Sequence, residues 1–134
     1  MLEVKPLELS HLQTLNLTEH YEKITSPGYA WALVKDGVAI AAGGVTIPHD
    51  RCAIVWTNIE PCRESKYLMR RIHFIARHLL DQLKSDLDRI QADVLADDRR
   101  ACQWPRRFGF HYEGKMKKYW QGKTYLRFAW VRAD

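Results

Sequence analysis

Asp98–Gly114, DRRACQWPRRFGFHYEG, is the stretch on which the reading of the whole chain turns. Asp98 is a natural N-cap, because its short carboxylate can accept from a backbone N–H that the first helical turn leaves unpaired. Gly109 stands where a helix ends most easily, in the left-handed conformation that only glycine adopts without strain, and Phe110 begins a strand-forming segment. A short helix passing through a glycine into a strand is therefore expected. Pro105 constrains it further. Inside a helix a proline removes one N–H, clashes with the preceding turn and costs about 3 kcal/mol, so this helix must be short or bent.

Working outward, RIQADVLA (89–96) alternates as a strand. Before it, ESKYLMRRIHFIARHLLDQLKS places Leu68, Ile72, Ile75, Leu79 and Leu83 at three- and four-residue steps, with Ser65 as N-cap. A strand that follows such a helix lies parallel to the one that precedes it, here RCAIVWTNIE (51–60). On the other side, FHYEGKMKKYW and KTYLRFAWVR form two strands joined at Gln121-Gly122. Upstream, Asp36-Gly37 between two β-prone runs is a hairpin signal. Gly43-Gly44 inside the second run marks a bulge or a close backbone approach, and Pro48-His49-Asp50 the next turn. LEVKPL (2–7) reads as an edge strand ending at Pro6. LSHLQTLNLTEHYEKI (9–24) reads as one or two short helices capped by Ser10 and Thr18, and Ser26-Pro27-Gly28 as a turn. The order, β α(α) β β β α β α β β, predicts an α+β fold. Its centre is a mixed, mostly antiparallel sheet of about seven strands with a βαβ core and flanking helices, in one domain over residues 1–134.

Composition narrows the function classes. Apolar residues make up 46% and charged residues 28% of the 134, the balance of a soluble globular protein. No apolar run approaches the ~20 residues of a membrane span, and MLEVKPLELS carries charge from Glu3 onward, unlike a signal segment. A cytoplasmic location follows as the expectation. Cys52, Cys62 and Cys102 have no CxxC spacing, and the nearest histidines, His73 and His78, fall on different sides of a helix, so neither a disulfide framework nor a metal site is expected. The net charge of +5, from 21 basic and 16 acidic residues, favours an anionic partner. Arg99, Arg100, Arg106, Arg107, Lys115, Lys117 and Lys118 interleave with Trp104, Tyr112 and Tyr119. That texture suits a single nucleic-acid strand, although a solvated basic face is the simpler reading.

Three local patterns stand in order along these elements: Asp98, Ala101, Trp104, Phe108, Gly109 and Phe110 in one frame; the tail GFHYEGKMKKYWQGKTYLRFAWVR; and Ile59-Glu60-Pro61 before the long helix. With the element order they resemble the GNAT superfamily of N-acetyltransferases, over residues 28 to 132. The form Trp104-x-x-Arg107-Phe108-Gly109-Phe110, with Glu113-Gly114 after it, also resembles small GNAT-like proteins encoded by bacteriophages, some of which are internal virion proteins.

The resemblance implies acetyl-CoA as donor and direct attack by an amine acceptor. It implies a cofactor loop of the form Gln/Arg-x-x-Gly-x-Gly/Ala after the fourth strand, whose backbone N–H groups carry the pyrophosphate. Arg63 matches the first position, but Lys66 and Leu68 stand where the glycines belong. The cofactor-binding residues implied are Ile59, Arg63, Ser65, Lys66, Tyr67 and Leu68, with Asp98 from the later helix; Lys66, Arg70 and Arg71 could hold phosphate by side chain. Glu60 and Asn58 are the polar residues nearest the implied thioester and so the candidates for general base. His49 and Asp50 lie further off, and His111 and Tyr112 are spare acids. Pro105 occupies the place where many GNAT enzymes carry a tyrosine that protonates the departing thiolate. The alternative is a non-catalytic GNAT-like phage protein, a virion component or an inhibitor acting by protein contact. The tryptophans would then be interface anchors, and the closing hairpin a possible homodimer surface.

Overall fold

The computed structural model describes residues 1–15 and 28–134. Its strands are β1 (Leu2–Pro6), β2 (Gly28–Lys35), β3 (Val38–His49), β4 (Cys52–Asn58), β5 (Arg89–Leu95), β6 (His111–Trp120) and β7 (Lys123–Val131). The helices are α1 (Leu9–Thr14), α2 (Lys66–Lys84) and α3 (Arg99–Arg107), and a 3-10 turn covers Glu60–Cys62. The seven strands form a sheet of order β1-β2-β3-β4-β5-β7-β6 in which β4 and β5 pair in parallel, the central βαβ that the sequence predicts. The fold is α+β, as expected. The described chain falls into two compact units, residues 1–47 with 55–78 and residues 48–54 with 79–134.

In the first unit β1 pairs antiparallel with β2, from Leu2↔Lys35 to Pro6↔Trp31, and stands at the sheet edge where Pro6 needs no ladder donor. Asp36 (φ 50°) and Gly37 (φ 83°) make the two-residue β2–β3 turn, both with the positive φ that a type I′ turn demands. The bulge in this hairpin lies at Leu33/Val34, opposite Ile40, and not at Gly43-Gly44. Ala32, Leu33 and Val34 are buried in succession, as are Ala41 and Ala42. Neighbouring strand residues point to opposite faces, so both faces of this hairpin are covered, and alanine keeps the covering layers close.

Two expectations need correction, and a third lies outside the described residues. The N-cap of α1 is Glu8, in a capping box with His11, and Ser10 lies inside the helix, where its carbonyl accepts from the Thr14 hydroxyl. Pro48 and His49 belong to β3, and the turn that follows is made at Asp50 and Arg51 (φ 64°). Thr18 and Ser26-Pro27 lie outside the described residues.

In the second unit β5 pairs β7 antiparallel along its whole length, Arg89↔Val131 to Leu95↔Tyr125, and β6 forms the outer edge. Gln121 (φ 52°) and Gly122 (φ 72°) turn β6 into β7. Phe128 and Ile90 are wholly buried and, with Leu80, Leu87, Phe108 and Phe110, make the core. Arg51 clamps Asp88 through two bonds of 2.8 Å, tying the β3–β4 turn to the start of β5.

Candidate functional site

The site suggested by the sequence begins where β4 leaves its parallel ladder with β5. The ladder with β5 covers Cys52↔Arg89, Ala53↔Ile90 and Ile54↔Gln91, while β4 continues to Asn58. Gly43 allows the β4 backbone to come close to β3: a Cβ there would stand 3.3 Å from the carbonyl oxygen of Trp56 and 3.5 Å from Thr57 Cγ2. The close approach expected of the glycine pair is thus real.

Past Asn58 the chain folds tightly on itself. Ile59 (φ −124°, ψ 13°) opens the 3-10 turn, where Pro61 is tolerated because the first turn of a helix needs no donor. The Cys62 N–H donates to Ile59 O at 2.8 Å, the Arg63 N–H to Glu60 O at 3.3 Å and the Ser65 N–H to Cys62 O at 3.0 Å. The buried Cys62 thiol donates to Ile40 O at 3.2 Å, and burial raises its pKa above the ordinary value. Ser65 caps α2 as expected, its Oγ accepting from the Leu68 N–H at 3.2 Å.

These bonds bear on an anionic ligand. The backbone donors of Arg63, Ser65 and Leu68 are directed onto acceptors of the chain itself. Lys66 and Tyr67 occupy the first two helical positions, where helix geometry supplies no carbonyl for the N–H, and the dipole of a 19-residue helix concentrates partial positive charge there. The Lys66 and Tyr67 side chains are exposed, Leu68 is half-buried, and Arg70 and Arg71 are exposed one turn further on. The arrangement fits a phosphate held by two N–H groups and by lysine and arginine side chains. It lacks the bare backbone cradle of a glycine loop.

The candidate bases lie in the same segment. Asn58 ends β4, half-buried. The Glu60 side chain is 75% exposed and pairs with Arg63 at 3.1 Å, so its carboxylate stands in water beside a guanidinium. Asn58, Ile59, Glu60, Arg63, Ser65, Lys66, Tyr67 and Leu68 therefore form one continuous run. Asp98 lies in the second unit, where it caps α3 by accepting from the Ala101 N–H at 3.0 Å. His111 and Tyr112 are exposed on β6.

Helix α3 resolves the proline. Pro105 is buried, two residues before the end of a nine-residue helix. The Phe110 N–H donates to Pro105 O and the Gly109 N–H to Arg106 O, both at 3.1 Å, with Gly109 at φ 84°. That is a complete Schellman end, in which the proline supplies a carbonyl and an apolar wall while giving up one donor. No hydroxyl is available at this position.

The Trp56 side chain, one of the tryptophans offered as interface anchors, is half-buried on β4. Its Nε1 is buried and, among the described residues, has no hydrogen-bond partner. Alternation along β4 gives no sign of this, since tryptophan serves equally as core.

No family model and no curated protein matches the sequence. Solved structures do match the fold. The ribosomal-protein-S18-alanine N-acetyltransferase from Escherichia coli superposes with a TM-score of 0.75 at 17% identity, over 98% of this chain and 94% of that one. A chimera of the Vibrio cholerae spermidine N-acetyltransferase gives 0.72 at 16% identity, over 97% and 95%. The ribosomal-protein-S5-alanine acetyltransferase from Vibrio fischeri gives 0.67 at 18%, over 90% and 69%. The fold is the GNAT fold. At these identities the likeness extends to the GNAT architecture and leaves the chemistry to be argued from the chain's own residues. No helix among the described residues is long and apolar enough to cross a membrane.

Proposed function

We propose that this chain is a GNAT-type N-acetyltransferase that uses acetyl-CoA and an amine acceptor. One observation carries the reading: the strand that leaves its parallel ladder after Ile54 leads directly into the positive N-terminus of a 19-residue helix. A pyrophosphate there would meet the Lys66 and Tyr67 N–H groups and the side chains of Lys66, Arg70 and Arg71. Acetyl-CoA supplies an activated thioester; overall, the amide C–N bond forms, the C–S bond breaks, and the proton lost by the amine is balanced by the one gained by the thiolate. With Pro105 in place of a tyrosine, that last proton comes from water. Asn58 and the solvent-facing Glu60 are the polar groups available to receive the amine proton, directly or through water. The sequence resemblance implies a thioester near both.

A second reading rests on the inward-turned donors of Arg63, Ser65 and Leu68 together with the buried Pro105. It is a non-catalytic GNAT-like protein that acts by protein contact, as a virion component or an inhibitor would. The test is thiol release from acetyl-CoA with spermidine and with an alanine-terminated peptide, the kinds of acceptor named for the structural neighbours. Acceptor-dependent release supports the enzyme. Absence of release with both acceptors, together with absence of acetyl-CoA binding, supports the second reading.

A further inference from the structure

The positive excess of the chain is concentrated in one place. From Arg99 to Lys123 there are eight cations (Arg99, Arg100, Arg106, Arg107, Lys115, Lys117, Lys118 and Lys123) and one carboxylate, Glu113, a net of +7. The whole chain carries +5, so all other residues together carry −2. Glu113 does not offset its neighbours, because both its oxygens accept from the Arg89 guanidinium. This segment comprises α3 and β6, within the second unit, and β6 is an edge strand.

Aromatic surface lies among these charges. Tyr112 is 47% exposed, Tyr119 48% and Trp120 40%. Tyr112 packs edge-on against Phe128 with centroids 5.8 Å apart, and the Arg106 guanidinium lies 5.3 Å from the same ring. Lys115 pairs with Leu126, two residues from Phe128 and hence on the same face. Arg106, Tyr112 and Lys115 thus share one face of the hairpin. Tyr119 and Trp120 gather around Tyr125 near its tip, on the opposite face from Tyr112, and the Tyr119 hydroxyl donates to Asp93 at 3.1 Å. From Tyr112 to Trp120 the bulged strand runs beside Phe128 to Lys123, five steps or about 17 Å at about 3.3 Å per residue, within the reach of a several-nucleotide site.

We propose that the α3–β6 surface binds single-stranded nucleic acid, with phosphates on Arg106, Lys115, Lys117 and Lys118 and a base on Tyr112. Charge alone would suit any polyanion. The exposed Tyr112 ring selects the occupant, because every base offers a flat face to stack and an acidic peptide does not. The inference is independent of acetyl transfer.

The test is fluorescence anisotropy of the full chain with a labelled oligothymidylate of about 16 nucleotides, against poly-glutamate as competitor. Four phosphate contacts predict affinity falling about fiftyfold between about 50 and about 200 mM salt. Replacing Lys117 and Lys118 by Gln should lower the salt slope by about 1.4, whereas Tyr112→Leu should weaken binding about tenfold at an unchanged slope. The two lysines are exposed, so the double variant tests the proposal even where Tyr112→Leu perturbs folding. Absence of binding at the lower salt overturns the proposal. So does equal competition by poly-glutamate with Tyr112→Leu binding like the parent chain, a result that would assign the surface to an acidic protein.

Discussion

The backbone N–H of Phe110 donates to the carbonyl of Pro105 at 3.1 Å, across a glycine held at φ 84°. This bond explains why a proline survives inside α3. One donor is lost in the last two turns of a short helix, and the carbonyl and ring of the same residue then anchor the helix end against the core.

Gly109 should therefore be costly to replace. Nothing lies within 4 Å of a Cβ built there, so the penalty of Gly109→Ala is conformational and not steric crowding. A loss of about 1 kcal/mol is expected, read as a lower thermal midpoint. An unchanged midpoint would show that the helix end does not depend on the left-handed glycine.

Asp98 acts as a cap in this structure, and its substitution pattern should say so. Asp98→Ala should cost about 1 kcal/mol, while Asp98→Asn, which keeps an acceptor oxygen, should cost less. Urea unfolding of the two variants makes the comparison. Equal losses would show that charge, and not the bond to the Ala101 N–H, is what matters.

The cysteines should differ in reactivity. Cys62 is completely buried and its thiol is pushed up first by desolvation; Cys102 is raised by burial and then by Asp98. In the native chain at neutral pH, Cys62 should resist iodoacetamide, followed by mass spectrometry, and become reactive on unfolding. Rapid native labelling of Cys62 would mean that the 3-10 turn opens readily.

Two carboxylates predict the acid limb of stability. Hydrogen bonding from Arg51 holds Asp88 below its ordinary 3.8, and hydrogen bonding from Arg89 holds Glu113 below its ordinary 4.5. Both folded values are depressed, so the contribution is present above the unfolded values and is lost as pH falls through the folded ones. The destabilisation caused by Arg89→Gln should accordingly be full at neutral pH and vanish under strongly acidic conditions, as followed by thermal unfolding at a series of pH values. A difference that persists in acid would assign the role of Arg89 to packing.

Most of the fold was legible because its signals are local. Asp36-Gly37, Gln121-Gly122, the apolar stripe of α2, the caps Ser65 and Asp98 and the glycine end of α3 each dictate backbone geometry through their own chemistry. The misreadings came where context decides. Ser10 is a good cap by type, yet Glu8, two residues earlier, pairs with His11 in a capping box. His49 continues a strand because the turn could be made at Asp50 and Arg51 instead. The candidate segment, Asn58 to Leu68, was legible as the link from a strand to a capped helix, but not in its bonding. No spacing rule foretells that the Arg63, Ser65 and Leu68 donors turn inward, or that the Trp56 indole N–H is buried without a partner among the described residues, since both depend on how β3, β4 and the 3-10 turn close on one another.

The most direct measurement is a calorimetric titration of the chain with acetyl-CoA, at low and moderate salt, alongside Lys66→Glu. Acetyl-CoA bound at the α2 N-terminus predicts a micromolar Kd, weakened at least about tenfold by the charge reversal with the fold intact. No heat of binding at millimolar acetyl-CoA, or binding indifferent to Lys66, would contradict the enzyme reading and leave this GNAT fold without its donor.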